Sequence, residues 1–478
     1  WGSLMTNTIE HLTTRAQGIY GGSGNAIDWV KDARQTSDTV DGVGDTIIEE
    51  LRRHRYKSKR LLNALSRPLS VGVFGVSQAG KSFLISTLAM DEQGQLETDM
   101  GSDRLNFINH INPSGGGGEA TGLVTRFTRR KSDTPAGYPV EVKLLSEADI
   151  IKILGNSYAY DFDPKTKTPL TGDQLDDHVA ALESQKQTQH TGKLDEDTMV
   201  ELMDYFRNLP GDGMDAFWNK AVDLAPYLAL NDRAALLSVL WGGKGNEGLT
   251  DAYRSMVKTL DTLDHSGTAF CGLDALVQPS DSADSKYSQR DSIVNVNILS
   301  RLGKDGDDLV KVLPGFDNGG FGSEVGVPRS AIAALVAELK IGLAEQPKSD
   351  VMDKLDLLDF PGYRGRLKAQ SLSTIEADGD IGPVASLLLR GKVAYLFSRY
   401  IDNQEMSMLL LCTRSNNQIE INELADAVNN WVEETQGESA EERAKRLPGL
   451  IWTFTQLDLK MSFKGSESFE MRKDEWDQ

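Results

Sequence analysis

Cysteine is nearly absent from this chain: Cys271 and Cys412 are the only two in 478 residues. Two distant thiols supply neither a disulfide framework nor a zinc-ligand spacing. Both are expected to be small core residues in a reducing compartment. Long apolar runs are missing as well. No stretch approaches the ~20 residues that cross a bilayer. Basic charge is in deficit, with 51 Lys and Arg against 71 Asp and Glu and a net charge of −20. An acidic surface repels nucleic-acid phosphates, so no nucleic-acid partner is expected. Anionic membranes are disfavoured for the same reason unless a local basic patch makes the contact. G-x-S-x-G and H-E-x-x-H signatures and internal repeats are also lacking, which removes their hydrolase, zinc-protease and solenoid readings.

What is present describes a globular α/β chain. Hydrophobic residues make up 39% and charged residues 26%, enough to bury a core in two or three domains. Residues 5–68 form an N-terminal helical segment with expected breaks at Gly21-Gly22-Ser23-Gly24 and Asp41-Gly42-Val43-Gly44. Its basic run of Arg52, Arg53, His54, Arg55, Lys57, Lys59 and Arg60 reads as a solvated helix face, or as a contact for lipid headgroups or an acidic partner surface. Residues 132–349 read as a mainly helical insertion, with a strand at 293–299 and a helix over 329–343. From residue 350 strand and helix alternate: strands at 355–358, 406–412 and 450–454, helices at 384–400 and 419–434. That rhythm predicts a mostly parallel sheet covered by helices on both faces.

One motif dominates the chemistry. Gly75-Val76-Ser77-Gln78-Ala79-Gly80-Lys81-Ser82 is a complete G-x-x-x-x-G-K-S phosphate loop. An apolar run, residues 69–74, precedes it, and a helix-like stretch beginning with Phe83 follows. Glycines let successive backbone N–H groups turn inward around phosphate oxygens, and a helix N-terminus adds its positive dipole end. Lys81 is expected on the β- and γ-phosphates and Ser82 on Mg²⁺. The bland alternative is an ordinary glycine-bearing turn between a strand and a helix.

Three further elements follow in order. Thr121 stands after Gly115-Gly116-Gly117-Gly118, placed to close over Mg²⁺ and the γ-phosphate as a switch loop does. Asp359-Phe360-Pro361-Gly362 follows an apolar strand. Its carboxylate is placed for Mg²⁺ and the Gly362 N–H for the γ-phosphate. Thr455-Gln456-Leu457-Asp458 follows the 450–454 strand, and Asp458 can accept the two N–H groups of guanine. A plain loop threonine and a structural turn are the alternatives for the first two.

In this order the elements resemble the dynamin-like branch of large GTPases, across residues 69–131 and 350–460. The N-terminal segment and the stretch Leu388-Leu389-Arg390-Gly391-Lys392-Val393-Ala394-Tyr395-Leu396-Phe397 resemble SrfC, a bacterial virulence-associated family. The resemblance implies a P-loop NTPase fold of two parts, 69–131 and 350–478, interrupted by the insertion. It also implies a cytoplasmic, Mg²⁺-dependent GTPase that binds GTP and GDP and works as a homodimer or with a neighbour-encoded protein. Ser77, Gln78, Lys81 and Thr121 would carry catalysis. Gly75, Ala79, Gly80, Phe83, Gly362, Thr455, Gln456 and Asp458 would complete the nucleotide contacts. Ser82, Thr121 and Asp359 would hold the metal.

The chain departs from the pattern in places. Gln456 replaces the usual Lys, Ser77-Gln78 inverts the common Gln-Ser order, and Tyr363 stands where small GTPases carry Gln. Hydrolysis is therefore expected to be slow in a monomer. Arg126, Arg364 and Arg366 are arginine-finger candidates, each with a plain surface-charge alternative. The end of the chain, 20 residues after Asp458, leaves no last strand, so an N-terminal fragment of a longer protein is expected. An ATPase using the same loop stays open, as does a structural or toxin-complex subunit with a regulatory or vestigial nucleotide site.

Overall fold

The computed structural model describes residues 2–112, 121–210, 214–280, 286–363, 365–375, 381–414 and 418–456. The chain starts as an antiparallel helical hairpin, Gly2–Ala33 and Asp38–Leu65, with Ser37 capping the second helix by accepting the Val40 N–H. The breaks expected at the two glycine clusters do not occur; both helices run straight through them. An interior glycine costs only ~1 kcal/mol, which pairing of the two helices offsets. Gly44 sits against the partner helix, where a Cβ would lie 3.4 Å from the Arg34 guanidinium and 3.6 Å from Val30. Arg34 in turn bonds Asp41 and Asp45, each at 2.8 Å.

The arginines of the basic run are not a solvated face; they pair within the chain. Arg53 pairs with Asp204 at 2.9 Å, Arg60 with Glu201 at 2.7 Å, Arg55 with Asp197 at 3.3 Å and buried Arg52 with Asp223 at 3.2 Å. The Tyr56 hydroxyl donates to Asp204 at 2.8 Å. Four arginines thus dock the hairpin on an acidic surface of the chain itself, mostly the helix Glu196–Arg207. His54, Lys57 and Lys59 remain exposed.

Ten strands form one mixed sheet among the described residues. From edge to edge they are Val325–Pro328, Leu309–Gly315, Thr268–Cys271, Val140–Leu144, Val336–Gly342, Val124–Thr128, Asp356–Asp359, Ser70–Phe74, Met408–Arg414 and Leu450–Thr455. The last four run parallel to one another, and Val124–Thr128 is antiparallel to Asp356–Asp359. The 132–349 segment contributes the first five strands as well as its helices, so it extends the sheet instead of standing apart from it.

Two local expectations fail there. Residues 296–301 form a 3₁₀ helix, because Asn295 caps it by accepting the Asn297 N–H at 3.0 Å. Over 329–343 a seven-residue helix, Arg329–Leu335, gives way to the strand Val336–Gly342. β-branched Val336 and Ile341 are buried in the sheet's interior, where tertiary packing outweighs helical spacing. Beneath the parallel half, the helix Pro383–Asp402 seals the core: Phe397 stacks on Phe74 at 3.8 Å, and Phe360 meets both edge-on.

Candidate nucleotide site

The Ser70–Phe74 strand is buried along its whole length and delivers the chain to Gly75 at the C-terminal end of the parallel strands. A Cβ on Gly75 would stand 2.2 Å from the Cys412 carbonyl oxygen, so only glycine fits this close approach. The loop then turns through left-handed residues, Gln78 at φ 61° and Gly80 at φ 82°. Gly80 precedes the nine-residue helix Lys81–Ala89, whose first turn has no side-chain cap. Its leading N–H groups are thus left to whatever occupies the cavity. The buried Lys81 ammonium folds over the loop and donates to the Val76 carbonyl at 2.9 Å.

The other motifs converge on this loop. Backbone bonds Phe360 N–H to Val73 O (3.2 Å) and Tyr363 N–H to Gly75 O (3.1 Å) dock the Asp359–Gly362 turn beside it. The Ser82 hydroxyl donates to Asp359 Oδ2 at 3.3 Å. From the edge strand, Thr455 Oγ1 donates to Ala79 O at 2.6 Å and Gln456 Nε2 to Gln78 O at 3.1 Å. Thr121 pairs by an isolated antiparallel bridge with Asn295.

A cavity of about 300 Å³ opens here, lined by Ser77, Gln78, Gly80, Lys81, Ser82, Phe83, Thr121 and Asp359. Gly75, Ala79, Gly362, Thr455 and Gln456 support the loop without lining the cavity. Asp458 and Arg364 lie outside the described residues. Sequence reasoning missed Phe107, Asn112, Thr125, Val294 and Phe360, which also line it. Val294 comes from the inserted segment, and no local pattern marks it.

Two arginine-finger candidates are engaged internally. Arg126 is buried, bonded to Glu338 at 2.8 and 3.0 Å and to Asp356 at 3.1 Å. Arg366 bonds Asp161 at 3.3 Å and Asn156 at 2.8 Å. Burial pushes the Cys412 thiol up to about 11 and Cys271 up to about 12, so neither is a ready nucleophile. Among the described residues no group of three or more His, Cys, Asp and Glu gathers to hold a metal. No helix of the described residues is long and apolar enough to cross a membrane.

Fold and site define an α/β protein whose mixed sheet presents a glycine-bearing loop, an uncapped helix N-terminus and a carboxylate to one small cavity. The chain belongs to a family described as "Putative bacterial virulence factor", whose sequence model matches residues 26–478. No curated protein matches it.

Proposed function

We propose that the chain is a dynamin-like GTPase of this virulence-associated family, binding GTP with Mg²⁺ at the Gly75–Ser82 loop and hydrolysing it to GDP and phosphate. The observation that carries the reading is the approach of Ser82 to Asp359 at 3.3 Å beside Lys81. A hydroxyl and a carboxylate this close suit one hard divalent cation, which takes oxygen ligands and keeps its other positions for phosphate and water. The bound cation would neutralise phosphate charge. The loop's N–H groups and Lys81 would hold the β- and γ-phosphates, and Ser77 or Gln78 would orient the attacking water. Antiparallel pairing of the strand after Thr121 with the strand ending at Asp359 supports a GTPase-like sheet. Coupling of the site to dimerisation or to a neighbour-encoded partner belongs to the same reading, as does a cytoplasmic location.

The test is nucleotide turnover by the purified chain with Mg²⁺. GTP hydrolysis in preference to ATP, abolished by Lys81→Ala, supports the proposal. Failure to bind either nucleotide with wild-type protein overturns it and favours a structural subunit. A second reading, an ATPase, follows from Gln456, whose carboxamide is spent on the loop carbonyl of Gln78 where the GTPase pattern has a lysine stem on the base. Asp458→Asn discriminates, since a guanine reader shifts its preference from GTP to XTP.

A further inference from the structure

A second, mainly apolar cavity lies away from the nucleotide loop. It has a volume of about 510 Å³ and opens among the helices of residues 147–262. That size suits a drug-sized organic ligand. Its walls are aromatic: Phe162 and Trp218 are buried, and Tyr158 and Phe206 are half-buried beside them. The ring of Phe206 leans 5.5 Å from that of Trp218. Gly155 lets Phe206 in, since a Cβ there would come within 2.2 Å of its ring.

The polar lining is mostly neutral, with Thr166, Thr168, Asn246, Gln370 and Ser371. Its charged side chains are Lys167, Arg207, Lys244 and Asp215. Arg207 and Asp215 line it but satisfy each other at 2.9 Å. Lys167 and Lys244 also line it; the Asp161 and Glu247 carboxylates act on them electrostatically but form no ion pair with them among the described residues. Lys167 donates to the Ala159 carbonyl at 2.7 Å and lies 4.9 Å from the Tyr158 ring centre. Partial burial disfavours its ammonium and lowers its pKa, which an approaching anion would reverse. Lys244 sits in the loop Gly242-Gly243-Lys244-Gly245, three of whose residues have left-handed backbone. In a chain of net charge −20, an apolar cavity lined by two lysines that no carboxylate contacts directly among the described residues favours a negatively charged group.

We propose that this cavity binds a small amphipathic anion, with an aromatic or acyl body against Phe162, Phe206 and Trp218 and an acidic group facing Lys167 and Lys244. The site is separate from the nucleotide reading and stands whether or not that reading does.

The test uses anilinonaphthalene sulfonate as the anionic probe and N-phenylnaphthylamine as its neutral counterpart, each titrated by fluorescence into the folded full chain. One saturable site for the sulfonate is expected. Lys167→Met with Lys244→Met should weaken the sulfonate about tenfold and leave the neutral probe unchanged. Ala159→Phe, which fills the cavity, should abolish both, with circular dichroism confirming the fold. Should Ala159→Phe fail to fold, the lysine pair still decides. Absence of saturable binding, indifference of the sulfonate to the lysine changes, or equal weakening of both probes overturns the proposal.

Discussion

The Asp161 carboxylate accepts the backbone N–H of Leu367 at 3.0 Å. It also takes the Arg366 guanidinium at 3.3 Å, while Ala369 exchanges backbone bonds with Asp161 and Asp163 at 2.9 and 2.8 Å. The segment downstream of Gly362 is therefore stitched to the C-terminal end of the helix Glu147–Asp161. Asp161→Ala removes a buried acceptor for an amide and a cation, at a cost of about 1–3 kcal/mol. Hydrogen exchange across residues 365–370 should accelerate, while the Ser70–Phe74 strand stays protected. Equal protection in both proteins would show that the carboxylate does not hold this segment.

The Ser82–Asp359 pair makes a metal-specific prediction. Ser82→Ala removes a hydroxyl placed for the cation and leaves the loop backbone intact. Nucleotide affinity in Mg²⁺ should fall at least about tenfold, equivalent to ~1.4 kcal/mol. In excess chelator, wild type and variant should bind alike. Isothermal titration under both conditions reads the difference, and a deficit that persists in chelator would assign Ser82 to packing.

The parts of this fold legible in the sequence are those whose signal is local. Apolar runs bounded by Gly or Pro mark the Ser70–Phe74 and Asp356–Asp359 strands, and Pro383 opens a long helix. The loop and the D-x-P-G turn are contiguous motifs, so their neighbourhood followed from strand order. Non-local relations were not legible. The partners of Arg52, Arg53 and Arg60 lie on the inserted segment, far along the chain, and a run of arginines looks the same whether water or carboxylates face it. The strand Val336–Gly342 continues a helical spacing, and only its place beside Val124–Thr128 makes it extended. The large cavity gathers residues from 155 to 371 and has no sequence signature.

Arg126 shows how position changes a residue's meaning. Its guanidinium is held by Glu338 and Asp356, and Glu338 also accepts the Tyr400 hydroxyl. Burial alone would raise the Glu338 carboxyl; Lys143 and Arg126 outweigh it and hold the group well below the usual carboxylate range. Arg126→Ala breaks a buried ion pair, leaving Glu338 to Lys143 and Tyr400 and Asp356 without the guanidinium, at about 3–5 kcal/mol. The expected phenotype is a lower Tm with or without nucleotide. A normal Tm combined with loss of hydrolysis only in the dimer would restore Arg126 as a charge donated across subunits.

Acid should release the helical hairpin through Glu201. This carboxylate receives Arg60 at 2.7 Å and the buried Lys152 ammonium. Burial by itself would raise its pKa, but the Lys152 and Arg60 charges overcome that and lower it to about 2. An unfolded Glu titrates near ~4.3. The depressed folded value means that Glu201's contribution is fully present above ~4.3 and is lost as pH falls towards about 2. The amount is on the order of 3 kcal/mol. Glu201→Gln should therefore lower stability at pH 7 and flatten its dependence on pH between ~4.3 and about 2. The readouts are urea denaturation across that pH range and the Tm at pH 7. An acid limb as steep in Glu201→Gln as in wild type would place the pH-sensitive group elsewhere.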